Sequence, residues 1–181
     1  MYFLLGNLSF VDMTLASFAT PKMIMNMVKN KKTISFVGCF TQIFLLHLLG
    51  GNEMVLLVSM AFDRYVAICK PLHYMTIMNK KVCTLLAVIP WLIGLLHAGL
   101  QLPFVVNLPF CCPNMVDSIF CDLPLVSKLA CMNTYFVQIV IVANSGMLSM
   151  SCFLILLISY SVILMTIRRR SSTESPKPSP L

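Results

Sequence analysis

Four long apolar stretches, at about residues 2–28, 34–69, 82–106 and 134–167, alternate with short polar clusters along the chain. Each exceeds the roughly 20 apolar residues that carry a helix across a bilayer. No Asp, Glu, Lys or Arg occurs between Lys81 and Asp117, or between Lys128 and Arg168. Lys29-Asn-Lys-Lys32 closes the first stretch, Lys70-Pro71 the second and Arg168-Arg-Arg170 the fourth. The pattern predicts an all-α membrane protein with four transmembrane helices. A long polar loop, about residues 107–133, joins the third span to the fourth. Residues 171–181, rich in Ser and Pro, have the composition of a disordered tail.

Composition sharpens this picture. The 181 residues are 59% hydrophobic and 10% charged, with a mean hydropathy of +0.89, where a soluble domain carries about 25% charged residues. The formal charge of +7 invites a nucleic-acid reading. The basic residues, however, fall in loop-sized clusters, with no RNA-binding aromatic motif, zinc-ligand pattern or phosphate-cradling glycine loop among them. Nucleic acid is therefore excluded as a partner. No nucleophile, base and oxyanion donor assemble into an enzyme site. The N-terminal apolar run lacks the basic flank of a cleavable signal peptide.

Charge and cysteines agree on orientation. Arg64, Lys70, Lys80, Lys81, Arg168, Arg169, Arg170 and Lys177 share one side. Lys29, Lys31, Lys32 and Lys128 lie on the other, with Lys22 near the interface. The richer side is predicted to be cytoplasmic. Cys111, Cys112, Cys121 and Cys131 crowd the long loop without CxxC or His partners, which points to disulfides in an oxidising compartment. That loop falls outside. Cys69, Cys83 and Cys152 lie in or beside apolar helices, and Cys39 at a helix end.

Depth along the helices places the remaining chemistry. Cys39 and Arg64 are separated by about 37 Å of helix, so the second span joins both membrane surfaces. Asp12 and Glu53 are the only acids deep inside apolar segments, where carboxylates are expensive enough to mark function. Each lies roughly 16 Å from the cytoplasmic end, so antiparallel neighbours would bring them level. With Ser9, Asn52 and Ser59 as oxygen donors, the pair is a candidate to hold a sodium ion or share a proton. The plainer alternative is that each is protonated and hydrogen-bonded inside the bundle. His47 and His97 show no ligand-spaced pairing along the sequence, and no metal is assigned to them. Asn7-Leu-Ser9 matches a glycosylation sequon but lies within the first span. Ser171, Ser172, Thr173, Ser175 and Ser179 are phosphorylatable in principle, with a solvated tail the default.

Several motifs occur together, in order: Met1-Tyr-Phe-Leu-Leu-Gly-Asn-Leu-Ser-Phe-Val-Asp12, Thr20-Pro-Lys-Met23, Met60-Ala-Phe-Asp-Arg-Tyr-Val-Ala-Ile-Cys-Lys-Pro-Leu-His-Tyr74, Lys128-Leu-Ala-Cys131 and Ser159-Tyr160. In these the chain resembles the olfactory receptors over about residues 1–172, matching their second to fifth transmembrane helices. The resemblance implies part of a rhodopsin-like seven-helix bundle, a small volatile or apolar odorant as ligand and a stimulatory heterotrimeric G protein as partner. It also implies that Arg64, between Asp63 and Tyr65, is a switch, held by Asp63 when inactive and swung toward Tyr160 when active. By position Cys39 would pair with Cys121 and Cys111 with Cys131. Cys112 replaces the family's usual glycine and competes with Cys111. Phe62 replaces the usual tyrosine.

The implied pocket lies outward of Glu53, lined by Leu46, His47, Gly50, Gly51, Gln101, Asn144, Ser145 and Leu148. Apolar walls with a few polar groups suit an odorant. Ordinary helix packing, with Gly50-Gly51 permitting close approach, accounts for the same residues. Relative to the family the chain lacks the first, sixth and seventh helices. Pro176, Pro178 and Pro180 cannot continue a helix, which suggests an alternative or frameshifted terminus. The expectation is a truncated receptor, retained in the endoplasmic reticulum rather than reaching the plasma membrane, and silent alone. A four-helix scaffold or channel subunit is the competing class, but it has no reason to contain the Met60 to Tyr74 motif. An assembly partner that modulates full-length receptors is a third reading.

Overall fold

A computed structural model describes residues 2–28, 36–106 and 135–173. The apolar stretches form the helices α1 (Tyr2–Val28), α2 (Phe36–Cys69), α4 (Lys80–Val106) and α5 (Tyr135–Thr173). Between α2 and α4 the chain makes a 3-10 turn, Pro71–His73, and a one-turn helix, α3 (Tyr74–Ile77). Three helices qualify as spans by both length and composition among the described residues: Val37–Cys69, Lys80–Phe104 and Tyr135–Arg170. In α1 the described side chains form an apolar helix over Tyr2–Phe18, and the 27 residues of α1 extend about 40 Å, enough to cross.

Two boundaries differ from the sequence expectation. Asn79 caps α4, its Oδ1 accepting the Val82 N–H at 2.9 Å, so the helix begins at Lys80 rather than near 82. The arginine run does not stop α5. The helix passes through Arg168, Arg169 and Arg170 to Thr173, taking three residues from the expected disordered tail. Arginine is a good helix former and its charge suits the negative pole of a helix C-terminus. The run therefore marks where the helix leaves the hydrocarbon, not where it ends.

Packing centres on α2, which contacts α4 most extensively, then α5 and α1. Toward the cytoplasmic end, Leu4 of α1, Leu56 and Met60 of α2 and Ala87 of α4 form a buried cluster, with Leu8 and Leu86 packed against it. This antiparallel register of α1 on α2 brings Asp12 toward the level of Asn52 and Glu53. Farther out, α2 and α4 approach backbone to backbone. A Cβ on Gly94 would stand 2.5 Å from the Leu48 carbonyl oxygen, and one on Gly51 would stand 3.3 Å from the Gly94 Cα. Gly50, by contrast, has open space around it. Of the Gly50-Gly51 pair, only Gly51 serves close approach.

Gly94→Ala is expected to push α4 away from α2 and to cost about 1–3 kcal/mol, because the obstructing atom is backbone. Gly50→Ala should be neutral or stabilising, by up to about 1 kcal/mol of helix propensity. Thermal unfolding of the two variants in detergent separates these outcomes.

Candidate functional site

At the cytoplasmic end, α2 and α5 meet through side chains rather than backbone. The Arg64 Nη1 donates to the Tyr160 hydroxyl at 2.9 Å. Asp63, 2% exposed, accepts a 2.9 Å hydrogen bond from the Tyr74 hydroxyl at the start of α3. Ser159 Oγ lies 3.5 Å from the Ala61 carbonyl oxygen, and Cys69 Sγ 3.5 Å from Thr166 Oγ1. Tyr65 is half-buried on the same turn as Arg64. The switch residues thus occupy one layer. Just beyond it, a cavity of about 460 Å³ is lined by Lys70, His73 and Arg170 among others. Leu72 and Met75 project from the loop, 93% and 83% exposed.

Halfway across, the Asp12 and Glu53 carboxylates lie within electrostatic range of each other. Their proposed oxygen donors are placed less uniformly. Ser9 Oγ donates to the Leu5 carbonyl at 3.0 Å and Ser59 Oγ to the Val55 carbonyl at 3.2 Å, leaving hydroxyl lone pairs for a cation. Asn52 turns the other way. It is fully buried against Gly94 of α4, and neither end of its amide has a hydrogen-bond partner. Among the described residues, no group of three or more His, Cys, Asp or Glu side chains converges on a metal position.

The outer half holds a polar cluster that joins three helices. Gln101, 2% exposed on α4, donates from Nε2 to Ser145 Oγ of α5 at 2.7 Å, and the same nitrogen lies 3.5 Å from His97 Nε2. The His47 and His97 rings stand 6.0 Å apart between centroids. His47 Nδ1 is 2.9 Å from the Ile43 carbonyl oxygen. Of the expected pocket lining, the fold brings His47, Gly51, Gln101 and Ser145 into this neighbourhood. Leu46, Asn144 and Leu148 are half-buried on their helices, and Gly50 stands apart from any close contact. Cys39, at the outer end of α2, is buried and disulfide-bonded. Cys111, Cys112, Cys121 and Cys131 lie outside the described residues, and Cys69, Cys83 and Cys152 are free thiols.

A family model described as the seven-transmembrane receptors of the rhodopsin family matches residues 1–179. The chain belongs to the olfactory receptors of that family. It is similar to three receptors of Homo sapiens. Olfactory receptor 4K17 is 78% identical over 98% of this chain and 57% of the relative. Olfactory receptor 4K3 is 62% identical over 98% and 56%, and Olfactory receptor 4K15 is 63% identical over 98% and 55%. The chain spans a little over half the length of these relatives. As an olfactory receptor it is a multi-pass membrane protein and not an enzyme.

Two residues of this olfactory receptor chain had no individual role in the sequence analysis. Tyr74 ended a motif without a role, yet it holds Asp63. Gly94 sets the closest helix approach, and its spacing to Ala98, four residues on, is the small-xxx-small signal that could have found it. His97 gained a partner only when packing brought it to His47.

The hydrogen bond to Asp63, followed by burial and the nearby negative charge, raises the Tyr74 pKa above the ordinary tyrosine value. The neutral phenol is the form the fold favours. Its stabilising contribution is complete below the ordinary tyrosine pKa and lost as pH rises through the raised one. Of the five tyrosines, Tyr74 is expected to ionise late in an alkaline absorbance titration. Asp63→Asn should bring that step back toward the ordinary range. A late step that persists in Tyr74→Phe would refute the assignment.

Proposed function

We propose that this chain supplies the odorant-facing and G-protein-facing helices of an olfactory receptor acting at the plasma membrane, with a stimulatory heterotrimeric G protein as partner. The Arg64–Tyr160 hydrogen bond is the observation that carries the reading. It joins α2 to α5 at the cytoplasmic surface, through the arginine that the extended Met60 to Tyr74 motif singles out. With Arg64 engaged by Tyr160 and Asp63 engaged by Tyr74, the layer has the partners of the proposed active arrangement. Leu72 and Met75 add apolar contact points beside a basic cavity, a combination suited to docking a partner protein. On the outer side, the ligand is a small volatile molecule with an apolar body, received near His47, Gln101 and Ser145. Cys39 would be tied to Cys121, and Cys111 to Cys131, holding the long loop over that pocket.

Between the two ends, Asp12 and Glu53 would hold a sodium ion or share a proton, with Ser9 and Ser59 as further oxygen donors. Carboxylates this deep in apolar segments are expensive unless a cation or a proton neutralises them. Replacing choline by sodium at constant ionic strength is expected to raise the unfolding temperature of the chain in detergent. Asp12→Asn and Glu53→Gln should each abolish that increment.

The receptor reading is tested in a chimera where residues 1–172 replace the matching segment of Olfactory receptor 4K17. Cells expressing it, challenged with a panel of small alcohols, aldehydes, ketones and acids, should show an odorant-dependent rise in cyclic AMP. Tyr160→Phe should weaken the response by about tenfold, as expected for losing a hydrogen bond to a charged group. Arg64→Ala should weaken it further. Unchanged signalling by Arg64→Ala at matched surface expression would overturn the switch assignment.

A further inference from the structure

We propose that His47 of α2 and His97 of α4 jointly bind a transition-metal ion, Zn²⁺ or Cu²⁺, in the outer half of the helix group. The proposal rests on ring geometry and not on the odorant reading. Along the sequence the two histidines belong to different spans, so no ligand spacing connects them. Packing across the Gly51–Gly94 contact brings their rings to 6.0 Å between centroids, tilted by 34°. Two imidazoles that share an ion at about 2.0–2.1 Å have ring centres about 5 Å apart at a tetrahedral angle and about 6.5 Å apart when opposed. The observed separation falls between these limits.

Hydrogen bonding sets which ring nitrogens could serve. His47 Nδ1, 2.9 Å from the Ile43 carbonyl oxygen, donates its proton there and leaves the Nε2 lone pair available. A backbone carbonyl receiving the non-ligating N–H is the usual support of a metal-binding imidazole. His97 Nε2 accepts from the Gln101 amide N–H over a long 3.5 Å, so that ring nitrogen carries a lone pair, which an ion would take over from the amide. The adjacent Cδ2 of His97 lies 3.4 Å from the position of a Gly51 Cβ, one turn along α2 from His47. Both imidazoles therefore work over the same stretch of α2.

The third component is Gln101. Its Oε1 is buried with no hydrogen-bond partner, although the residue is 2% exposed and one turn from His97. Turning the amide over would bring Oε1 to the position Nε2 now holds beside His97, and coordination there would give this buried oxygen a partner. Imidazole with a neutral oxygen suits Zn²⁺ and Cu²⁺ better than the hard cations that carboxylates take. Both rings are half-buried, which leaves a coordination position for water. Bound there, the ion would clamp α2 to α4 at a level well outward of Asp12 and Glu53.

The purified 181-residue chain in lipid nanodiscs, titrated with cupric chloride, gives the direct measurement. One equivalent should bind with an electron paramagnetic resonance signature of two imidazole nitrogens. In the wild-type chain Zn²⁺ should protect His47 and His97 from diethyl pyrocarbonate and leave His73 equally reactive, a readout that needs no variant to fold. His47→Ala and His97→Ala should each weaken Cu²⁺ binding by about tenfold or more, the effect of removing even an outer supporting group. Gln101→Leu should weaken it less, and His73→Ala not at all. Absence of stoichiometric binding, a one-nitrogen signature, protection of His73, or unchanged affinity in either His47→Ala or His97→Ala would overturn the proposal.

Discussion

Hydrocarbon offers no partner to a stray N–H or C=O, so a chain this apolar has to keep its backbone hydrogen bonds inside helices. Everything else in the structure works within that constraint. Once the backbone is satisfied locally, helices are held together by surface fit and by a few polar side chains, because lipid is as apolar as leucine. The central helix α2 uses both means. Gly51 and Gly94 let it meet α4 at backbone distance, while Arg64–Tyr160, Cys69–Thr166 and Ser159 with the Ala61 carbonyl connect it to α5. The apolar cluster of Leu4, Leu56, Met60 and Ala87 seats α1 against the same helix.

This arrangement divides chemistry by depth. The cytoplasmic layer contains a charge-assisted bond, Arg64–Tyr160, and a buried aspartate, Asp63, whose partner Tyr74 ties α3 to α2. A membrane-embedded carboxylate pair occupies the middle. In the outer layer one amide, that of Gln101, joins α4 to α5 through Ser145, and the His47 ring of α2 lies beside that of His97. Movement of α5 relative to α4 would act on Gln101–Ser145 outside and on Arg64–Tyr160 inside, since α5 supplies one partner to each. One helix thereby bridges the outer and cytoplasmic layers.

Much of this was legible in advance. The spans follow from charge-free runs, and Cys39 as a disulfide cysteine from the family resemblance. Arg64 and Tyr160 were legible as partners only through resemblance. Asn52 shows what depth leaves out: sequence depth puts it level with Asp12 and Glu53, and the structure adds that its Cβ packs beside Gly94 of α4. Depth depends on residue count alone. Azimuth depends on which neighbour lies on which side, and an all-round apolar helix carries no stripe to say so.

The sequence by itself determined the membrane, the helices and the family, because these rest on hydropathy and contiguous motifs. The tertiary structure alone decided what touches what. It brought His97 to His47, gave Asp63 to Tyr74, separated the roles of Gly50 and Gly51, and carried α5 through its arginines. The physical reason is the same in each case. Those outcomes depend on the rotation and close approach of helices whose lipid-facing and buried surfaces are chemically alike, and that information exists only once the helices are packed.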